Sequence, residues 1–75
     1  MIIFIGDNMA KKYFVYERVQ GVNAPMIVAV INENGVVEGE DADYVRQELA
    51  RNNYPANSPE KIFYGDYYWA AEALF

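Results

Sequence analysis

The apolar residues of the chain fall into short runs of strand length that are separated by turn residues. Residues 12–19 contain β-prone side chains bracketed by charged residues, which predicts a first strand. Residues 21–25 are expected to end it. Met26–Ile31 is a continuous apolar run, which predicts a central strand buried on both faces. Asn and Gly in residues 32–35 tolerate the positive φ of a tight hairpin turn, so a returning strand is predicted to begin at residues 36 and 37.

The pattern changes to a helical period at Asp41. Ala42, Val45 and Leu49 lie at positions i, i+3 and i+7 and form one apolar stripe of a helix that runs to about residue 52. Asp41 is the predicted N-cap of this helix, because a short carboxylate side chain can accept hydrogen bonds from the free backbone amides of the first turn. The four residues Asn-Asn-Tyr-Pro that follow are expected to end it.

The C-terminal part of the chain is ambiguous before Gly65 and is predicted to be helical after it. Residues 58–60 either cap one short turn or lead into a fourth strand at residues 61–64. Asp66 is placed to cap a last helix over residues 67–75. This helix would be apolar nearly all round, so it would be either sandwiched or part of an interface such as that of a homodimer.

These elements predict an α+β fold. We expect a small antiparallel sheet of three or four strands with one or two helices packed on one face, in a single domain of residues 1–75. Residues 1–5 allow an additional N-terminal strand, and residues 1–8 are either the native start or an extension before Met9. The apolar run at residues 1–5 is too short for a signal sequence or a membrane span, which predicts a soluble, cytoplasmic protein.

The charge of the chain adds a local acidic patch to this picture. The formal net charge is −5, and residues 32–48 contain six acids against the single base Arg46, whereas the rest of the chain balances. The six acids are Glu33, Glu38, Glu40, Asp41, Asp43 and Glu48. A one-sided field of this kind speeds association with a basic partner. Alternatively, the patch is only the solvated tip of a hairpin and the N-terminus of a helix, where acidic residues are common.

The composition argues against several kinds of chemistry. The 75 residues include no histidine, cysteine or threonine, and Ser58 is the single serine, expected as a helix N-cap. Nucleophilic catalysis and zinc binding both need those residues, so we expect neither an enzyme nor a cofactor or metal site. The acids near Gly39 lack the spacing of a calcium loop. Six dispersed bases on an acidic domain also disfavour direct nucleic-acid binding.

The second notable feature is a cluster of aromatic residues near the C-terminus. Five of the 12 aromatic side chains lie within seven residues: Phe63, Tyr64, Tyr67, Tyr68 and Trp69. Neighbours on a helix point about 100° apart, so Tyr67, Tyr68 and Trp69 cannot all face the core of a helical segment. We expect Trp69 in the core and one of the two tyrosines at a binding surface.

In size and composition the whole chain resembles the small acidic, tyrosine-rich inhibitors that phages and mobile elements encode against host nucleic-acid machinery, anti-CRISPR proteins among them. This resemblance involves no motif. With the acidic patch, it implies a non-enzymatic protein that occupies a basic, nucleic-acid-handling surface of a partner, where carboxylates stand in for phosphates. The expected partner-binding residues are Glu33, Glu38, Glu40, Asp41, Asp43, Tyr44, Tyr67 and Tyr68. The alternative is a small structural or accessory subunit, which could be a homodimer. Its acidic face would then contact only solvent.

Overall fold

The computed structural model describes residues 11–74. In chain order the elements are β1 (Tyr13–Glu17), β2 (Met26–Ile31), β3 (Val37–Glu38), α1 (Ala42–Arg51), α2 (Pro59–Ile62) and β4 (Tyr68–Glu72). The strands form one antiparallel sheet in the order β3-β2-β1-β4. The predicted α+β fold is therefore confirmed, whereas the N-terminal strand expected over residues 1–5 lies outside the described residues.

Strands β1 and β2 form the centre of the sheet and contain one irregularity. Val15 pairs with Ala29 but Tyr16 pairs with Ile27, so Val28 is an extra, bulged residue. The prediction that β2 is buried on both faces is wrong, because Ile27 is 51% exposed. Ile27 and Tyr16 pair on the side of the sheet opposite the buried residues Val15 and Ala29.

The turn between β2 and β3 agrees with its sequence signature. The Gly35 amide donates to the Asn32 carbonyl at 2.8 Å, and the Asn32 amide donates to the Val36 carbonyl at 2.8 Å. Gly35 has a φ of +86°, which glycine adopts without strain. The predicted hairpin is confirmed, although the returning strand is only two residues long.

Helix α1 packs its apolar stripe against β2 and β3, as its period predicts. Ala42, Val45 and Leu49 are all buried. Asp41 occupies the N-cap position, but its side chain makes no capping hydrogen bond, so that part of the prediction is wrong. Its carboxylate instead accepts a hydrogen bond from the Tyr68 hydroxyl.

The ambiguous segment before Gly65 is a short helix followed by a bridge to the sheet. Helix α2 begins at Pro59, directly after Ser58, which takes the predicted N-cap position without a side-chain capping bond. The Ala70 amide then donates to the Phe63 carbonyl at 3.0 Å. Residues 63–65 therefore shield part of the outer edge of β4.

The predicted last helix over residues 67–75 is wrong, because residues 68–72 form strand β4. This strand pairs with β1, with Tyr68 opposite Glu17 and Ala70 opposite Val15. Ala70 is buried on the side of the helices, whereas Trp69 is only half-buried and stacks on Tyr16. Tyr and Trp favour strands, and β1 would otherwise present an unpaired edge. Both effects favour the strand over the helix.

The core lies between the helices and one face of the sheet. Its residues are Tyr13, Val15, Val28, Ala29, Ile31, Val37, Ala42, Val45, Leu49, Phe63 and Ala70. The opposite face, called the open face below, carries Phe14, Tyr16, Ile27, Val30, Trp69 and Ala71, as the strand register requires. The sheet therefore separates a buried side from an apolar side that no described helix covers.

Candidate functional site

Four of the predicted acidic residues lie together where β3 leads into α1, and we call this set the acidic corner: Glu38, Glu40, Asp41 and Asp43. Two backbone hydrogen bonds fix this connection, because the Asp41 amide donates to the Val28 carbonyl and the Ala42 amide to the Gly39 carbonyl. The bulged carbonyl of β2 thus holds the start of α1. The corner is therefore part of the rigid sheet and helix framework.

The charges of the acidic corner are only partly compensated. Asp43 forms an ion pair with Arg46 at 2.8 Å, and outside the corner Glu48 pairs with Arg51 at 3.3 Å. Glu38 and Glu40 are exposed and form no ion pair within residues 11–74. Their negative charge is therefore uncompensated within the described part of the chain.

Two tyrosines from different elements border the acidic corner. The Tyr68 hydroxyl donates to the Asp41 carboxylate at 3.1 Å, which links β4 to the start of α1. Burial raises the pKa of Tyr68, and the hydrogen bond to Asp41 raises it further, so the phenol stays a neutral donor. The ring of Tyr44 meets that of Tyr68 edge to face, with 5.7 Å between their centroids, and Tyr44 remains 51% exposed. Tyr44 is therefore an exposed aromatic ring held beside the acidic corner.

The structure places Glu33 and Tyr67 away from the acidic corner. Glu33 lies in the turn at the other end of β3, where it lines an open cleft of about 420 Å³ with Lys11 and Tyr54. Tyr67 is 69% exposed and lies beside Arg18 and the loop between β1 and β2. The eight predicted residues thus divide into one group of six and two isolated positions.

The open face is a second candidate surface, and the sequence reasoning missed it. Tyr16 and Trp69 stack with their ring planes 12° apart and their centroids 5.4 Å apart. The Arg18 guanidinium carbon lies 5.3 Å from the Trp69 ring centroid. The expectation that Trp69 is a core residue is wrong, because β4 turns it away from the helices. The alternation of Phe14, Tyr16 and Arg18 along β1 was the signal that could have revealed this face.

The search for metal-binding and catalytic groups covers the described residues. No group of three or more acids within residues 11–74 is arranged to hold a metal ion. Lys61 contacts Ser58 through its backbone amide, which donates to the Ser58 carbonyl at 2.9 Å, and no lysine side chain of residues 11–74 is hydrogen-bonded to the Ser58 hydroxyl. None of the helices in this part of the chain is long and apolar enough to span a bilayer.

Comparison of the chain with protein-family models, with curated proteins and with solved structures found no match in any of the three. The acidic corner, the open face and the cleft beside Glu33 are therefore the surfaces from which a function can be inferred.

Proposed function

We propose that the protein is a small, non-enzymatic binding protein that occupies a basic, nucleic-acid-handling surface of a partner through its acidic corner. Its carboxylates take the place of nucleic-acid phosphates, so the protein acts as a nucleic-acid mimic and inhibits the partner. The phage-type inhibitors that the composition resembles likewise act against host nucleic-acid machinery.

The observation that supports this proposal is the pair of exposed carboxylates, Glu38 and Glu40, without a counter-charge in residues 11–74. Arginine and lysine bind phosphates by charge-assisted hydrogen bonds, and a carboxylate offers the same kind of acceptor. The backbone of the corner is held in place by the hydrogen bonds of the Asp41 amide and carboxylate. A loop backbone that is already ordered loses little conformational entropy when it binds.

Tyr44 completes the proposed contact surface. Its ring is half exposed next to the acids and is held by an edge-to-face contact with Tyr68 and a tilted contact with Phe63. Tyrosine buries a large amphipathic ring at low conformational-entropy cost, which is why it is enriched among binding hot spots. The acids would then steer the encounter, and Tyr44 would slow dissociation.

The test is affinity capture from the native cell, followed by identification of the bound proteins and their release with added DNA or RNA. The wild type should capture a nucleic-acid-binding protein that the added nucleic acid releases. The double variant Glu38→Lys/Glu40→Lys should lose that protein, because it reverses the uncompensated charges and spares the Asp41 to Tyr68 hydrogen bond.

A matched control carries the same change of net charge at two exposed acids outside the corner, Glu33→Lys/Glu60→Lys. This variant should retain the partner at physiological salt. Equal loss in both double variants would show that only net charge matters. Retention by the corner variant, or a captured protein that nucleic acid does not release, would contradict the proposal.

A further inference from the structure

The cleft beside Glu33 is separate from the acidic corner and has a volume of about 420 Å³. Three parts of the chain line it: the start of β1, the turn over residues 33–35, and the segment that leads from α1 into α2. This volume is within the range of roughly 300 to 1,000 Å³ that is typical of ligand-binding clefts. The described residues that line it include none of the acidic corner, so the two sites can be altered independently.

The hydroxyl of Tyr13 opens into this cleft without a hydrogen-bond partner. Tyr13 lines the cleft although the residue is only 7% exposed. No hydrogen bond to its hydroxyl is formed within residues 11–74, and no polar side-chain atom in this part of the chain is both buried and unpaired. The hydroxyl is therefore the part of Tyr13 that remains accessible. Because the hydroxyl of a buried tyrosine usually has a partner, its position here points to a ligand that accepts a hydrogen bond.

The charges around the cleft favour a basic ligand. Glu33 lines the cleft, Glu60 is close enough to act on Tyr13, and neither exposed carboxylate forms an ion pair within residues 11–74. Lys11, which also lines the cleft, already lies 3.7 Å from the carboxylate of Glu72. Burial raises the pKa of Tyr13, and the charges of Glu60 and Glu72 raise it further, so its hydroxyl remains a neutral donor.

The walls of the cleft carry ring side chains on an ordered backbone. Tyr54 is half-buried and Pro55 is exposed, and both line the cleft. The Tyr54 amide donates to the Leu49 carbonyl at 3.0 Å, and on the side of the turn the Gly35 amide donates to the Asn32 carbonyl at 2.8 Å. Both walls are therefore formed before a ligand arrives, which lowers the entropic cost of binding.

We propose that this cleft binds an extended, proline-rich peptide segment of a partner that carries a basic residue. A polyproline II segment has no internal hydrogen bonds, so its carbonyl oxygens are free to accept the Tyr13 hydroxyl. Its rings pack on those of Tyr54 and Pro55, which is how aromatic-lined grooves recognise such segments. Its basic side chain lies near Glu33 and Glu60. A helical peptide suits the cleft less well, because its carbonyls are already bonded along the helix.

The peptide Ac-PPAPPRPPA-NH₂, titrated into isotopically labelled protein and followed by amide chemical shifts, is the primary test. We expect a dissociation constant of roughly 0.1 to 1 mM, because the contact is much smaller than a standard interface. The shifts should concentrate in residues 11–13, 33–35 and 54–59. A flexible peptide of equal charge, Ac-GGAGGRGGA-NH₂, and an acidic one, Ac-PPAPPEPPA-NH₂, should each bind at least tenfold more weakly.

Three variants connect this binding to the cleft. Tyr13→Phe should weaken it about fivefold, the value of one hydrogen bond, and should leave the melting temperature nearly unchanged because the hydroxyl has no partner in the free protein. Glu33→Lys/Glu60→Lys should weaken it about tenfold. Glu38→Lys/Glu40→Lys carries the same change of net charge at the acidic corner and should bind the peptide like the wild type.

Equal affinity for the glycine-containing peptide, preference for the acidic one, or wild-type affinity in Tyr13→Phe would overturn the proposal. Equal weakening in the two double variants would also overturn it, and so would free arginine amide that binds as tightly as the peptide, since the cleft would then be a site for a small cation. The proposal does not depend on nucleic-acid mimicry. Peptide binding without a captured partner that nucleic acid releases would contradict only the proposed function, and the reverse result would contradict only this inference.

Discussion

A single glycine sets the position of the acidic corner. Gly39 has a φ of +124°, and a Cβ atom there would lie 2.7 Å from the Val28 carbonyl oxygen and 2.8 Å from the Ala29 Cα. Both neighbours are backbone atoms of a buried strand, so they cannot move aside cheaply. Close approach of this loop to β2 lets the Asp41 amide reach the Val28 carbonyl.

Gly39→Ala should therefore lower the free energy of unfolding by about 3 kcal/mol or more, through backbone strain and the forced separation from β2. Gly35→Ala is the matched control, because Gly35 also has positive φ but has open space around its Cα. We expect it to cost only about 1 kcal/mol. Urea unfolding curves measure both values, and equal losses would mean that the close approach to Val28 is unimportant.

The hydroxyl of Tyr68 makes stability depend on alkaline pH. Burial and the Asp41 hydrogen bond raise its pKa above the ordinary value of about 10. Above pH 10 the unfolded chain releases this proton while the folded chain retains it, so the free energy of unfolding falls as pH rises. Burial also raises the pKa of Tyr13, which contributes in the same direction.

Tyr68→Phe should cost about 1 kcal/mol near pH 7, where the hydrogen bond is intact, and should flatten the loss of stability above pH 10. A residual slope from Tyr13 should remain. Chemical unfolding at a series of pH values between 7 and 11 measures both effects. An unchanged alkaline slope in the variant would show that Tyr68 is not the group responsible.

Among the elements, β4 shows where local pattern stops being informative. The apolar run after Gly65 is compatible with a helix that is buried on all sides and equally with a strand that is buried on both faces. What decides between them is the unpaired edge of β1, some 50 residues earlier in the chain. Elements defined by local signals, the Asn32 to Gly35 turn and helix α1, were predictable for that reason.

Side chains alternate between the two faces of β4, so the same substitution at Ala70 and at Ala71 should have opposite effects on folding. Ala70→Lys places an ammonium group in the core, where the side chain is 6% exposed, and should unfold the domain or cost several kcal/mol. Ala71→Lys points to the open face and should leave the domain folded. Circular dichroism and thermal melts of dilute samples distinguish them. Comparable damage from both would contradict a strand at this position.

The candidate site was predictable in part, for the same reason. Glu38, Glu40, Asp41 and Asp43 are near one another in the sequence, so a short loop was sufficient to bring them together. The link from Tyr68 to Asp41 crosses 27 residues and depends on the pairing of β4. Glu33 was grouped with the corner because a hairpin tip and the residues after the returning strand look adjacent in sequence, although β3 separates them.

For the molecule as a whole, we expect the like charges of the acidic corner to lower the free energy of unfolding, and the proposed basic partner to offset this cost. Uncompensated like charges repel one another in the folded state, and added salt screens this repulsion. We therefore expect the free energy of unfolding to rise modestly between about 0.02 M and 0.5 M NaCl. A basic partner would supply the same compensation and would raise the melting temperature by mass action.

Neutralising the corner should reproduce the effect of salt. Glu38→Gln/Glu40→Gln should raise the free energy of unfolding by up to about 0.5 kcal/mol at low ionic strength and should flatten its salt dependence. Asp43→Asn should instead lower the free energy of unfolding at low ionic strength. It removes the ion pair with Arg46 and a favourable charge in the first turn of α1. Denaturant unfolding at both salt concentrations provides the comparison. If the double variant keeps the full salt dependence of the wild type, the corner carries no net repulsion, and the electrostatic basis of the proposed partner contact is lost with it.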